Sequence, residues 1–392
     1  METTFDGVIR ENKQAGYQEA FIPSENPQNH ASNLLELSNG DLLCVWFSGT
    51  QEGVSDISVF LSRLNKGTSS WSKPVQLSFD TTRSEQNPVL FEDPDGILWL
   101  LYTAQKAGNQ DTAFVRYRQS LDKGYTWSDI QTLIDEPGTF IRQPITVLPN
   151  GDWVLPIFRC AVQPGEKWVG DHDTSAVKIS HDKGKTWEEV NVPGSVGCVH
   201  MCVNVLPAGT YVALYRSRWA DYIYRSESKD GIHWTEPQAL SLPNNNSSIQ
   251  AASLNDGKLV MVFNNINADD SEQRRASLYD EIEDDVVADE ERRVLSDVPQ
   301  DPKGRKAVWG IPRAPMTVAI SEDGGKTWPY LRNIQEGDGN CLSNNSVEKK
   351  NRELSYPSIK QGRDGKIHVT YTYYRQTIKY VCLTEDWIKG NH

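Results

Sequence analysis

The stretch SHDKGKTW, residues 180–187, is a polar turn closed by a large aromatic side chain, and near-copies of it recur along the chain. Aligned on the final tryptophan they read SLDKGYTW (120–127), SKDGIHW (228–234) and SEDGGKTW (321–328), with weaker relatives in SRLNKGTSSW (62–71) and TEDW (384–387), which makes six. Asp and Ser side chains accept hydrogen bonds from nearby backbone amides, Gly permits positive φ, and Trp anchors the turn against an apolar neighbour. A catalytic or calcium-binding group is rarely needed six times in one chain. The turn therefore reads as scaffold.

Between the boxes lies a second series, of which QNPVLFEDPDGILWLLYTA (86–104), RQPITVLPNGDWVLPIFR (142–159) and SIQAASLNDGKLVMVFNN (248–265) are examples. Each is a strand, a tight Gly-containing turn and a second strand. A third strand precedes each box and a short fourth follows most of them, giving a four-stranded antiparallel meander of about 50–60 residues. Six such units predict an all-β fold, a six-bladed β-propeller filling residues 1–392 as one domain. The last unit ends without a fourth strand, whereas GYQEAFIP (16–23) has no unit of its own. The N-terminal strand is expected to close the ring.

The 392 residues carry a formal net charge of −13, which weighs against nucleic acid or an anionic membrane surface as a partner, since both require a basic face. The N-terminal residues METTFDGVIRENKQ lack the basic start and apolar run of a secretory signal, so a cytoplasmic location is expected. Six scattered cysteines read as reduced core thiols, and the alternation in Cys198-Val-His200-Met-Cys202 fits a strand better than a metal site. No cofactor is expected.

The boxes, their number and their order resemble the Asp-box (BNR) repeats of the sialidase superfamily over nearly the whole chain. In a meander the box turns gather on one face. The opposite face, where first strands begin and second strands connect to third, holds the central funnel in which a propeller binds its ligand. Anchoring the units on their Gly turns places His30, Gln86, Arg142, His200, Ser248 and Ser355 in one register at the starts of first strands. Trp168, Trp219 and Trp309 fall in two-to-three loops around the funnel, where an aromatic face can stack on a sugar.

The resemblance implies an arginine triad for a sugar carboxylate, a tyrosine nucleophile with a glutamate, and an aspartate acid/base. PAGTYVALYRSR matches the segment of the second arginine and gives Arg216, IPRAPMTVAISEDGGKTW gives Arg313, and LSYPSI gives Tyr356 as nucleophile. In blade one NHASNL puts His30 or Ala31 where the first arginine belongs. VHMCVN puts His200 at or beside the glutamate. GTQEGVSDISVF offers Glu52 and Asp56 for the acid/base, with Asp56 preferred. Arg216 and Arg313, with His30, Arg142, Gln86, Trp168 and Trp219, are expected to bind substrate; Tyr356, His200 and Asp56 are expected to carry the chemistry. An exo-acting glycoside hydrolase for an acidic or unusual terminal sugar, other than a true sialidase, is the leading expectation. A uronate lyase using the same Tyr, His and Arg groups, or a non-catalytic glycan-binding propeller, is the alternative.

Residues 268–306 interrupt blade five with 13 acidic and 7 basic side chains. SLYDEIEDDVVADEERRVL could form a helix with Leu278, Ile282 and Val286 on one side. Both ends return to the funnel face, so the insertion is expected to serve as a lid, as a contact between copies of the chain in a homo-oligomer, or as a solvated loop.

Overall fold

The computed structural model describes residues 4–283 and 285–390. Strands buried almost continuously, because each sheet is covered by a neighbour on both faces, build six antiparallel sheets. Blade one comprises Gln28–Glu36, Leu42–Gly49, Ser58–Leu64 and Val75–Gln76; the inner strands of blades two, four and six are Ser84–Glu92, Cys198–Val205 and Leu354–Gln361. Blade six lacks a fourth strand of its own. Tyr17–Ile22 pairs antiparallel with Thr377–Leu383 instead and closes the ring. Aliphatic side chains fill the space between neighbouring sheets, as where Val89, Leu101 and Val115 of blade two meet Ile145, Leu155 and Ile157 of blade three. Each fully buried aliphatic side chain of this kind contributes roughly 1.5–3 kcal/mol.

The box turns satisfy themselves. Asp182 Oδ1 accepts from the amides of Lys185 at 3.0 Å and Thr186 at 2.9 Å, its Oδ2 from Thr186 Oγ1 at 2.7 Å, and Trp187 Nε1 donates to Gly184 O at 3.1 Å. The same carboxylate bonds recur around Asp122 and Asp323, and Trp127 Nε1 likewise donates to Gly124 O, whereas Trp328 Nε1 has no partner among the described residues. TEDW differs: Thr384 caps a short helix, Glu385–Lys389, and Trp387 Nε1 donates to Ala15 O at 2.8 Å, fastening the closing segment.

Four inner strands carry a bulge at one equivalent place. The pairing register shifts between His30 and Asn33, Gln86 and Val89, Val199 and Cys202, and Ser355 and Ser358. Within these bulges Ala31, Asn87, His200 and Tyr356 adopt φ of 60°, 49°, 56° and 49°. A bulge with a left-handed residue re-aims one side chain out of the strand's alternation. The residues equivalent to His200 are thus Ala31, Asn87 and Tyr356, one place beyond the register expected from the Gly turns. In blade three Arg142 lies between two short pieces, Thr139–Ile141 and Thr146–Val147.

The insertion forms no α-helix among its described residues. It runs irregularly, with single 3-10 turns at Ala268–Asp270 and Asp289–Glu291, burying Leu278 and Tyr279 while Val286 stays fully exposed. Closely spaced like charges repel on a helix, and anchors pull this segment onto the blades instead. Asp285 Oδ2 accepts from Ala107 N at 3.0 Å, and Val162 and Val294 form an isolated parallel bridge.

Candidate functional site

Tyr356 stands at the centre of the funnel, aimed by its left-handed bulge and only 5% exposed. Arg216 Nη1 donates to its hydroxyl at 2.5 Å. The guanidinium carbons of Arg142, Arg216 and Arg313 lie 5.4, 5.5 and 5.5 Å from the centre of its ring. The His30 ring sits 4.2 Å and the His200 ring 5.6 Å from it, centroid to centroid. Blades one, three, four, five and six therefore converge on a single phenol.

Each arginine has its own support. Arg216 Nε donates to Asn246 Oδ1 at 2.8 Å, and Arg313 Nη1 to Glu353 Oε1 at 3.2 Å. Arg142 donates to the carbonyls of Ser32, Tyr356 and Pro357 at 2.9, 3.2 and 3.2 Å. It thereby clamps the bulge that carries Tyr356. Two further groups complete the cluster. Arg375, fully buried, donates from Nε to Glu353 Oε1 at 2.8 Å and lies 2.8 Å through Nη1 from Glu52 Oε2. Glu353, also fully buried, accepts from Ser355 Oγ at 2.6 Å and approaches His30 Nδ1 at 3.5 Å.

Burial holds both imidazoles neutral, pushing His30 and His200 well below the usual histidine value, with Arg375 reinforcing the effect on His30 and Arg216 on His200. Burial also pulls Arg216 down to about 9 and Arg142 to about 10. Burial would raise the Glu353 carboxyl, but Arg375 and Arg313 outweigh it and hold the group well below the usual carboxylate range. Four guanidiniums, those of Arg142, Arg216, Arg313 and Arg375, thus face two carboxylates, Glu52 and Glu353. The excess is two positive charges, buried in an acidic protein. Arg216 Nη2, Arg375 Nη2, His200 Nδ1 and His30 Nε2 are buried without a hydrogen-bond partner among the described residues. Unpartnered nitrogens beside surplus positive charge suit an anion, because each buried donor left unsatisfied costs about 1–3 kcal/mol.

Three expected residues fall elsewhere. Asp56 is exposed, and its Oδ1 accepts from Thr50 N at 3.2 Å; Glu52 of the same loop enters the cluster in its place. Trp168 is fully buried, donates to Asp173 Oδ1 at 3.0 Å and packs on Tyr279 and Trp309. Trp219 is buried beneath the Arg305 guanidinium. Neither tryptophan offers an open face, because the insertion lies over both; Trp309 stands closer to the cluster, 5.6 Å from the Arg216 guanidinium carbon. Gln86 is buried, with Nε2 donating to Ser84 Oγ at 3.0 Å. Asp171, His172 and Asp173 receive the insertion and an arginine: Asp171 accepts from Ala307 N, His172 Nδ1 lies 3.0 Å from Pro299 O, and Asp173 pairs with Arg218 at 2.7 Å.

The profile of the BNR repeat-like domain matches residues 40–369. The chain belongs to that family. No curated protein matches it. Among solved structures it is similar to the sialidase Hz136 of a Hadza microbe (TM-score 0.64, 14% identity, 93% of this chain and 67% of that one). It is also similar to the leech intramolecular trans-sialidase (0.66, 13%, 94% and 70%) and to the α-L-arabinanase of Penicillium chrysogenum (0.59, 15%, 98% and 99%). At these identities the likeness is one of fold, a propeller shared by sialidases and an arabinanase. No helix among the described residues is long and apolar enough to cross a membrane.

Proposed function

We propose that this protein is an exo-acting glycoside hydrolase for a terminal acidic sugar, whose carboxylate docks on Arg216, Arg313 and Arg375. The observation that carries this reading is the Tyr356 hydroxyl held 2.5 Å from Arg216 Nη1 inside a buried cluster with surplus positive charge and unpartnered donors. Guanidinium forks bind a carboxylate bidentately and orient it. Tyr356 attacks the anomeric carbon while His200, neutral through burial, takes the phenol proton. The departing oxygen takes its proton from Asp56 once that exposed residue's loop swings inward over the bound sugar, and water then hydrolyses the aryl glycoside. A phenol suits an anomeric carbon that itself bears a carboxylate, since a carboxylate nucleophile would be repelled there.

A lyase is the second reading, favoured by one observation. Both buried carboxylates, Glu52 and Glu353, are engaged by guanidiniums, and Asp56 is exposed, so no free carboxyl stands in the cluster to serve as the acid. Elimination from a uronate needs arginines to acidify the α proton and a Tyr or His that removes it and hands a proton to the β oxygen as its bond to carbon breaks. Incubation with a panel of acidic glycans decides the matter. Released reducing sugar without ultraviolet absorbance supports hydrolysis, and an absorbing unsaturated product supports the lyase. Ligand binding without turnover would refute both.

A further inference from the structure

The site as it stands is closed. Tyr356, Arg216, Arg375, Glu353 and His30 are all at most 5% exposed, so no sugar can reach the phenol without movement of some covering element. The blades are continuous hydrogen-bonded sheets, whereas the cover is the insertion in blade five. It touches the funnel-face loops of blade one, where a Cβ on Gly53 would meet Tyr279 and Ile282 at 2.8 Å, of blade two through Asp285 on Ala107, and of blade three through the Val162–Val294 bridge. It also reaches blade four, where Arg305 pairs with Asp221 at 3.0 Å, and the segment before blade six, where Asn344 N donates to Glu281 Oε2 at 2.6 Å.

Resting on the hydrolase or lyase reading above, we infer that the insertion is a lid that opens to admit a terminal sugar and closes over it, with Tyr279 as its latch. Tyr279 is the most deeply planted side chain of the crossing: 2% exposed, it accepts at its hydroxyl from Gln110 Nε2 at 3.0 Å and Gln105 Nε2 at 3.3 Å and packs against Trp168. Apart from Leu278, buried with Tyr279 in one apolar cluster, the crossing is held mainly by polar bonds and short bridges and has no sheet or α-helix of its own, the kind of attachment that opens below the free energy of global unfolding. Closure excludes water from Tyr356 and its arginines and limits the ligand to a chain end, since a polymer passing through would hold the lid off.

Hydrogen exchange tests the lid without any substrate. Amides of residues 276–308 that bond to the blades, Arg293 and Leu295 among them, are expected to exchange at least about tenfold faster than the inner-strand amides beneath them. A Val162→Cys, Val294→Cys pair, oxidised, is expected to slow that exchange. Tyr279→Phe is expected to speed it. Exchange of the insertion only together with the blades, or no response to either change, would overturn the lid. Turnover is the second readout: the oxidised pair is expected to lose at least about tenfold in kcat on whichever acidic glycan the wild type cleaves and to regain it on reduction. Full activity of the oxidised pair would also overturn the lid. Absence of any wild-type turnover would sink the enzymatic reading while the exchange data still decided the lid.

Discussion

The two faces of this propeller use the same polar residue types to opposite ends. On the box face Asp122, Asp182 and Asp323 each accept from amides and a hydroxyl within their own turn. On the funnel face Arg216, Arg375, His30 and His200 are gathered from separate blades and keep nitrogens with no protein partner. A locally satisfied turn can be repeated as often as the scaffold requires. An unsatisfied cluster exists once, and its unmet donors are what remain for a ligand.

Removing the phenol should break the comparison most severely. Tyr356→Phe is expected to lower kcat by about a thousandfold or more with circular dichroism unchanged, since the variant keeps the ring among its arginines and loses only the nucleophile or base. Next in size is Glu353→Gln, which leaves Arg375 and Arg313 facing each other without their shared carboxylate. Urea unfolding is expected to show a loss of about 3–5 kcal/mol, the cost of breaking a buried ion pair on one side. Arg216→Lys should act on recognition. A point charge replaces a fork, and kcat/KM is expected to fall by roughly a hundredfold, about 2–3 kcal/mol, with a rise in KM carrying part of it.

The contrast between the faces also explains what could be read from the chain. Four regular boxes, their two weaker relatives and the orphaned N-terminal strand were enough to define the blade count and ring closure, because each regular turn encodes its own geometry within eight residues. Arg216, Arg313 and Tyr356 were legible from segments resembling those of a known family, and the structure brings all three together. Glu353 and the pairing of Arg375 with Glu52 were not, since they join through space residues that lie far apart in sequence and follow no period. The bulges were hidden for another reason: Ala31, Asn87, His200 and Tyr356 stand at one spacing from their turn glycines, Gly40, Gly96, Gly209 and Gly365, but share no residue type that marks the left-handed position. The insertion defied its helical pattern because Val286, which that pattern puts beside Leu278 and Ile282, is left fully exposed, while Tyr279 is drawn into the blades by Gln105, Gln110 and Trp168.

Acid should separate the faces next. His30 and His200 have folded-state values well below that of an unfolded histidine, near 6.5, so the unfolded chain binds more protons as pH falls through that value. The stability they permit is fully present above about pH 6.5 and is lost below it, by about 1.4 kcal/mol per pH unit for each imidazole until the folded group also titrates. Urea unfolding from pH 7.5 to 5 is expected to show this slope in the wild type and a shallower one in His200→Gln. A neutral His200 also remains a base below pH 6.5, so kcat should show no break at the pH where a free imidazole titrates.

The smallest effect belongs to the box face, and its smallness is the point. In Asp323→Ala the amides of Lys326 and Thr327 lose a carboxylate whose own value those bonds pull down to about 2. The turn lies at the protein surface, where water can take over the orphaned donors. Thermal unfolding is expected to move down by only about 1–3 °C, with kcat held within about twofold. A large loss of activity from this substitution would mean that the repeated turn serves the chemistry after all, and the division of labour between the two faces would fail.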